Sequence, residues 1–322
     1  MLQLVNLSND ASDLHNLLDN SPVNLLTFLQ AHHLDGIEFM RCAPWNPAFY
    51  PREIIKGVHL WFYTNWLDFF LGNEAGLRQE FCDAEAVRYA YGGEVSDWLA
   101  LLRLNVRQAA ELKPAYVVFH VANVRPNEMY SRRFHYDSAQ VISATARLAN
   151  LICADLPADI SLLYENLWWP GLTFTEPQLA AELLAGTAHQ NTGFMLDTGH
   201  LMNTCPALRT QAEGVDYVLR VLEWLGPLAA KVRGLHLHYS LSGETMQRLQ
   251  AEHANDAAHP FGWQEIYAYI TAIDRHLPFS DPEAKKIIRA VNPDYLVHEF
   301  IQQGRNDWEQ KLSCQQTACA LG

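Results

Sequence analysis

The segment Thr192-Gly193-Phe194-Met195-Leu196-Asp197-Thr198-Gly199-His200 constrains this chain more than any other. Its apolar half reads as a buried strand, and an aspartate, a glycine turn and a histidine follow at the carboxyl end. Five other strand-like runs end in the same way, and helical spacing lies between them. Leu2–Leu7 is the first strand, and Leu14, Leu17, Leu18, Leu25 and Leu29 mark a helix interrupted by Pro22. Gly36–Met40 and Gly57–Phe62 are strands. Residues 66–93 form an aromatic, glycine-punctuated excursion that suits a lid over a site. Ser96 and Asp97 can cap a helix running to about Leu112. Strands follow at Tyr116–Ala122, Ile160–Asn166, 193–197, Val232–Ser240 and Asp294–Phe300. Helices are expected near 138–154, 177–186, 215–229, 263–275 and 304–320, with a long loop over 241–262.

Strands that alternate with helices need crossover connections, hence a parallel sheet. Eight of them in 322 residues fit a closed (β/α)₈ TIM barrel, an α/β fold, as a single domain spanning 1–322. No GxGxxG follows the first strand, which removes the usual dinucleotide signature. With 49% hydrophobic residues the chain can fill such a core. Lys and Arg total 23 against 36 Asp and Glu, a formal charge of -13, which argues against phosphate-backbone binding. Six cysteines without a CxxC pair read as reduced, buried thiols. The start reads as a strand rather than a signal peptide, and no apolar run reaches the roughly 18 residues needed to cross a bilayer. A cytoplasmic, non-membrane protein is the expectation.

In such a barrel, function gathers at the carboxyl ends of the strands. Reading only those ends gives His59, His120, Glu165, Asp197 with His200, His236 with His238, and Glu299. Strand alternation puts Glu299 on the face of Tyr295 and Val297 and leaves His298 facing the helices. Carboxylates and imidazoles converging on one mouth suit Zn²⁺, Mn²⁺ or Co²⁺. A lone strand histidine is more often a hydrogen-bonded structural residue, the reading given to His15, His32, His33, His189 and His276. A lone Asp or Glu after a strand is more often a helix cap. Six strands repeating the pattern at one end favour a metal site.

The chain resembles the xylose isomerase-like TIM barrels, which unite sugar-phosphate isomerases and epimerases with endonuclease IV-type enzymes (AP endonuclease family 2). The resemblance rests on Gly36-Ile37-Glu38-Phe39, His59-Leu60-Trp61-Phe62-Tyr63-Thr64-Asn65, Val118-Phe119-His120, Tyr164-Glu165-Asn166, Leu196-Asp197-Thr198-Gly199-His200, Arg233-Gly234-Leu235-His236-Leu237-His238 and Val297-His298-Glu299-Phe300. It implies that Glu165, Asp197, His236 and Glu299 form the four-ligand site of the epimerases. It also implies that His59, His120 and His200 are further ligands of the endonuclease branch, with Glu165 bridging two metals. His259, in His259-Pro260-Phe261-Gly262, resembles the last histidine of that set. Its usual aspartate two residues earlier is Ala257 here, with Asp256 the nearest substitute. The arginine that epimerases often carry after the seventh-strand histidine is missing from Tyr239-Ser240-Leu241-Ser242.

Two enzyme functions follow, which between them call for one to three divalent metal ions per chain. In the first, placed narrowly ahead, a single ion stabilises an enediolate of a small sugar or sugar phosphate. Glu165 and Glu299 then serve as acid and base for isomerisation or epimerisation. Trp61, Trp168 and His238 would border the substrate, and Arg125, with Arg132 and Arg133, would hold a phosphate, unless those arginines form a solvated loop. In the second, several zinc ions support phosphodiester hydrolysis of the endonuclease IV type. The charge makes nucleic acid the less expected partner and a small molecule the more expected one. Storage or binding of metal without turnover is the least favoured reading. The sequence carries no signal of oligomeric state.

Overall fold

The computed structural model describes residues 1–81, 83–253 and 262–321. Eight strands follow one another around a closed barrel: β1 Leu2–Ser8, β2 Gly36–Met40, β3 Ile55–His59, β4 Tyr116–His120, β5 Ser161–Glu165, β6 Thr192–Asp197, β7 Val232–Leu237 and β8 Tyr295–His298. Each pairs in parallel with its neighbours, and β1 closes the ring by pairing with both β2 and β8. Both faces of such strands are covered, so the runs are apolar almost throughout.

Alternation sorts the side chains. Leu4, Tyr116, Val118, Leu163, Met195 and Val297 fill the barrel interior. Val5, Ile37, Val117, Leu162, Phe194, Leu235 and Leu296 point outward into the larger core beneath the helices. Room for the Tyr116 ring, which packs on Tyr295, is left by Gly57 on β3. A Cβ there would lie 2.2 Å from the Tyr116 ring.

Several expected boundaries move. The third strand ends at His59, so Leu60–Phe62 already belong to the loop over the mouth. Pro22 does not kink one helix but starts a second, Pro22–Ala31, after Ala11–Leu18. The helix expected to be capped at Ser96 or Asp97 is Val95–Ala110. Its cap is Glu94, whose N–H donates to the Asp97 carboxylate at 3.0 Å. The 66–93 excursion folds into short helices Leu67–Leu71, Glu74–Glu80 and Ala84–Tyr91. Gly243–Glu252 is helical where a loop was expected, and Lys285–Val291 adds a helix between 275 and 294.

Among the described residues, no helix is long and apolar enough to cross a membrane. The cysteine expectation holds only in part. Cys153 and Cys319 are buried free thiols, Cys205 and Cys314 are half-buried and Cys42 is exposed.

Candidate metal centre

The strand ends bring their polar residues together because the register aligns them. His120 lies beside Glu165 across β4 and β5, and Asp197 beside His236 across β6 and β7. Glu165 is at the middle. Its Oε2 lies 3.1 Å from both His59 Nε2 and His120 Nε2. Its Oε1 lies 3.3 Å from both His200 Nδ1 and His236 Nδ1. One carboxylate therefore faces two different sets of imidazoles.

The ligand-type atoms fall into overlapping groups. His59, His120 and Glu165 form one; Glu165, Asp197, His236 and Glu299 form another; His200, Asp274 and His276 form a third. His238, His276 and Glu299 also converge. In the third group, Asp274 Oδ2 lies 2.9 Å from His200 Nε2 and 2.6 Å from His276 Nε2. His276, expected as a hydrogen-bonded structural residue, is bonded to Asp274 and also lies among ligand-type atoms. With Asp274 it supplies the Asp-x-His spacing that Ala257 denies to His259. Both His259 and Asp256 fall outside the described residues.

The donor chemistry fits divalent cations. Glu165 Oε1, His236 Nδ1 and Glu299 Oε2 are buried without a hydrogen-bond partner. Yet His236 Nδ1 lies 3.0 Å from Glu299 Oε2. Buried polar atoms are rarely left so, unless something else satisfies them. Imidazole and carboxylate without thiolate suit Zn²⁺, Mn²⁺ or Co²⁺. Glu165, Asp197, His236 and Glu299 would hold one ion. His59 and His120 would share Glu165 for a second, and His200, Asp274 and His276 would hold a third.

Outer contacts aim these side chains. His59 Nδ1 lies 3.0 Å from the Leu60 carbonyl, which turns Nε2 toward Glu165. His236 Nε2 lies 3.0 and 3.1 Å from the two oxygens of Glu38, and Tyr116 donates its hydroxyl to the same carboxylate at 2.8 Å. Glu38 was not among the sequence candidates. A carboxylate inside an otherwise apolar strand was the signal, since a buried charge needs partners.

Asp197 is both cap and candidate ligand. Its Oδ1 accepts from the His200 N–H at 2.6 Å, and its Oδ2 lies 2.8 Å from His238 Nε2. Gly199 is required between them, because a Cβ there would sit 2.2 Å from the His238 ring.

Charges in the cluster balance one another. Burial alone would depress the imidazoles of His200 and His236, but the surrounding carboxylates outweigh it and hold both well above the ordinary histidine range. His276 is pushed up to about 9, against its burial, chiefly by Asp274. Glu165 and Glu299 are driven the other way. Burial would raise them, yet His120 and His236 hold Glu165, and His236 holds Glu299, well below the carboxylate range. His120 remains low because its desolvation dominates. Protons and metal ions compete for these nitrogens.

The other sequence candidates separate. Trp61 borders a cavity of about 370 Å³ over His59 and His120. Trp168 is buried with its ring 5.2 Å from that of His200. His238 is fully buried and stacks on His276 at 4.0 Å, so it braces Asp197 rather than facing the opening. Arg125 is neither a phosphate clamp nor part of a solvated loop. It is buried, and its guanidinium is bidentate to Asp68 at 2.7 and 2.9 Å, with Glu80 at 3.2 Å. That ion pair anchors the 66–93 excursion to the loop after β4. His298 packs toward the helices as expected, 2.9 Å from the Gln315 side-chain amide.

A closed (β/α)₈ barrel with a carboxylate–imidazole centre at its carboxyl mouth is thus the class that fold and site define. The fold is the closed (β/α)₈ barrel that the sequence implied. Endonuclease IV from Thermus thermophilus superimposes with a TM-score of 0.56 at 14% identity, covering 100% of each chain. A D-tagatose 3-epimerase-like protein superimposes with a TM-score of 0.54 at 15% identity, over 100% of this chain and 98% of that one. Neither a protein-family profile nor a curated protein matches this sequence.

Proposed function

We propose that this chain is a multinuclear metal-dependent hydrolase of small phosphate esters. One observation carries the reading: Glu165 presents a separate oxygen to each of two ligand groups, with a third group alongside. The isomerase or epimerase reading needs only Glu165, Asp197, His236 and Glu299 and one ion. It gives no work to His59, His120, Asp274 or His276. The hydrolase reading therefore moves ahead of it.

Exposure marks the accessible side of the centre. Among the described candidate ligands the most exposed side chains are His120 at 17%, Glu299 at 13% and His276 at 12%; His120 belongs to the first group, while Glu299 and His276 converge with His238. A phosphate ester entering the mouth would reach the centre past these side chains. Bound cations would neutralise the phosphate charge and lower the pKa of water there. In hydrolysis a water oxygen bonds to phosphorus, the bond to the leaving oxygen breaks, and the departing alcohol takes a proton. Glu165 is ringed by imidazoles on both oxygens, so it serves as a fixed bridge rather than a proton carrier. Glu299 reaches the opening and is the carboxylate placed to take the proton from water. Trp61 lines the cavity over His59 and His120, and Trp168 is buried behind His200. The charge of -13 favours a small ester over a polynucleotide.

The test is release of p-nitrophenol from aryl phosphate mono- and diesters by metal-loaded protein, beside a panel of ketose and sugar-phosphate epimerisations. Metal-dependent ester cleavage is expected, abolished by Glu165→Gln. Epimerase turnover without ester cleavage would return the isomerase reading to first place.

A further inference from the structure

A second cavity adjoins the mouth, and the metal groups leave it unexplained. It measures about 720 Å³ and lies between the loop after β3 and the helix Ala84–Tyr91. Phe62, Tyr63, Phe81 and Tyr89 give it aromatic walls, and Glu80 and Glu85 add carboxyl groups. Its described lining includes no lysine or arginine. Phe62 and Tyr63 also line the smaller cavity over His59 and His120, and the Phe62 ring lies 4.7 Å from that of His120. Phe62 and Tyr63 are thus walls common to both spaces, beside the first ligand group.

We propose that this cavity is the subsite for the organic arm of the ester, and that the arm is a flat aromatic group carrying no negative charge; this rests on the hydrolase reading above. The volume is within the range of small-molecule sites and exceeds what a bare sugar phosphate fills. Aromatic walls reward a ring by stacking and desolvation. Tyr89 is 94% exposed, an aromatic side chain with nothing over it, at the rim where an incoming ring would cover it.

The charge pattern sets the sign. Arg125, the basic side chain behind the wall, is committed to Asp68 and Glu80 and offers no cation to the cavity. Glu80 is 3% exposed at its side chain, and its Oε2 accepts from the Asn65 amide at 2.6 Å. Burial first, and then Asp68, raise the Glu80 carboxyl to about 9, so it faces the cavity as a neutral acid. Among the described lining residues, a second phosphate would meet carboxyl groups and no counter-charge. The subsite thus discriminates against polyanions, in keeping with the acidic chain.

Turnover and binding are measured separately on the metal-loaded full chain. Bis(p-nitrophenyl) phosphate is expected to exceed methyl p-nitrophenyl phosphate in kcat/KM by about tenfold, the scale on which an apolar pocket discriminates. Ala86→Trp fills the cavity from a half-buried wall position away from the ligands. It should erase that preference while leaving the methyl ester unaffected. Nile red, an uncharged aromatic dye, should bind wild type, with Ala86→Trp weakening it about tenfold and the exposed Tyr89→Ser severalfold. Anilinonaphthalene sulfonate, an anionic ring system, should bind more weakly than Nile red. Unchanged preference and dye affinity in both variants, or no dye binding by wild type, would overturn the subsite. Dye binding lost in the variants without cleavage of either ester would uphold the subsite and sink the hydrolase reading alone.

Discussion

Glu38 gives the most revealing perturbation, because it touches the centre only through His236. Glu38→Gln keeps the shape and one acceptor but removes the charge that His236 Nε2 and the Tyr116 hydroxyl share. A hydrogen bond to a charged group contributes about 1.5–3 kcal/mol and a neutral one about 1. The difference left to the variant is therefore about 0.5–2 kcal/mol. At about 1.4 kcal/mol per decade, that is a loss of roughly 2- to 30-fold in metal affinity. The figure overlaps the 10- to 100-fold range, roughly, for partners that orient metal-bound histidines. Chelator competition with Zn²⁺ reads the affinity, and thermal unfolding of the metal-free protein checks the fold. Tyr116→Phe, which leaves the contact to His236 intact, should cost less. If Glu38→Gln binds zinc within twofold of wild type and remains folded, Glu38 does not aim His236, and the argument fails.

Other outcomes follow from the same geometry. Glu165→Gln should lower esterase kcat by about 10²-fold or more, because two ligand groups lose their common carboxylate; a variant with half its activity would refute the bridging role. His276→Ala should release one equivalent of metal and leave the Glu165, Asp197, His236 and Glu299 group loaded, as elemental analysis would read. Glu80 should make stability fall with rising pH. Its carboxyl, about 9 when folded and near 4.5 when unfolded, stays protonated in the folded chain while the unfolded chain ionises. Its contribution is full below about 4.5 and is lost, by about 1.4 kcal/mol per pH unit at most, as pH rises toward 9. Glu80→Gln should flatten that slope in urea melts between those limits, and an unchanged slope would show that another group sets it.

The barrel and most of the centre were legible because strand periodicity and strand ends carry local signals. An apolar run that stops at His120, Glu165 or Asp197 announces both its burial and its polar mouth. What the sequence hid lies off that pattern. Glu38 sits within its strand rather than at the end, so its carboxylate faces the centre from below. Asp274 and His276 follow a helix in the connection between β7 and β8, where no strand end drew notice, although their spacing matched the expected Asp-x-His pair. Arg125 finds Asp68 across 57 residues of chain, a pairing that local composition does not encode. The same long-range ion pair turned an expected lid into an anchored wall.

Metal content per chain, by elemental analysis of protein purified without chelator and resupplied with Zn²⁺, Mn²⁺ or Co²⁺, tests the central claim most directly. Two or three ions per chain are expected, with His59→Ala and His276→Ala each removing one from a different group. A single ion that neither variant disturbs, or none after resupply, would contradict a multinuclear centre built on Glu165.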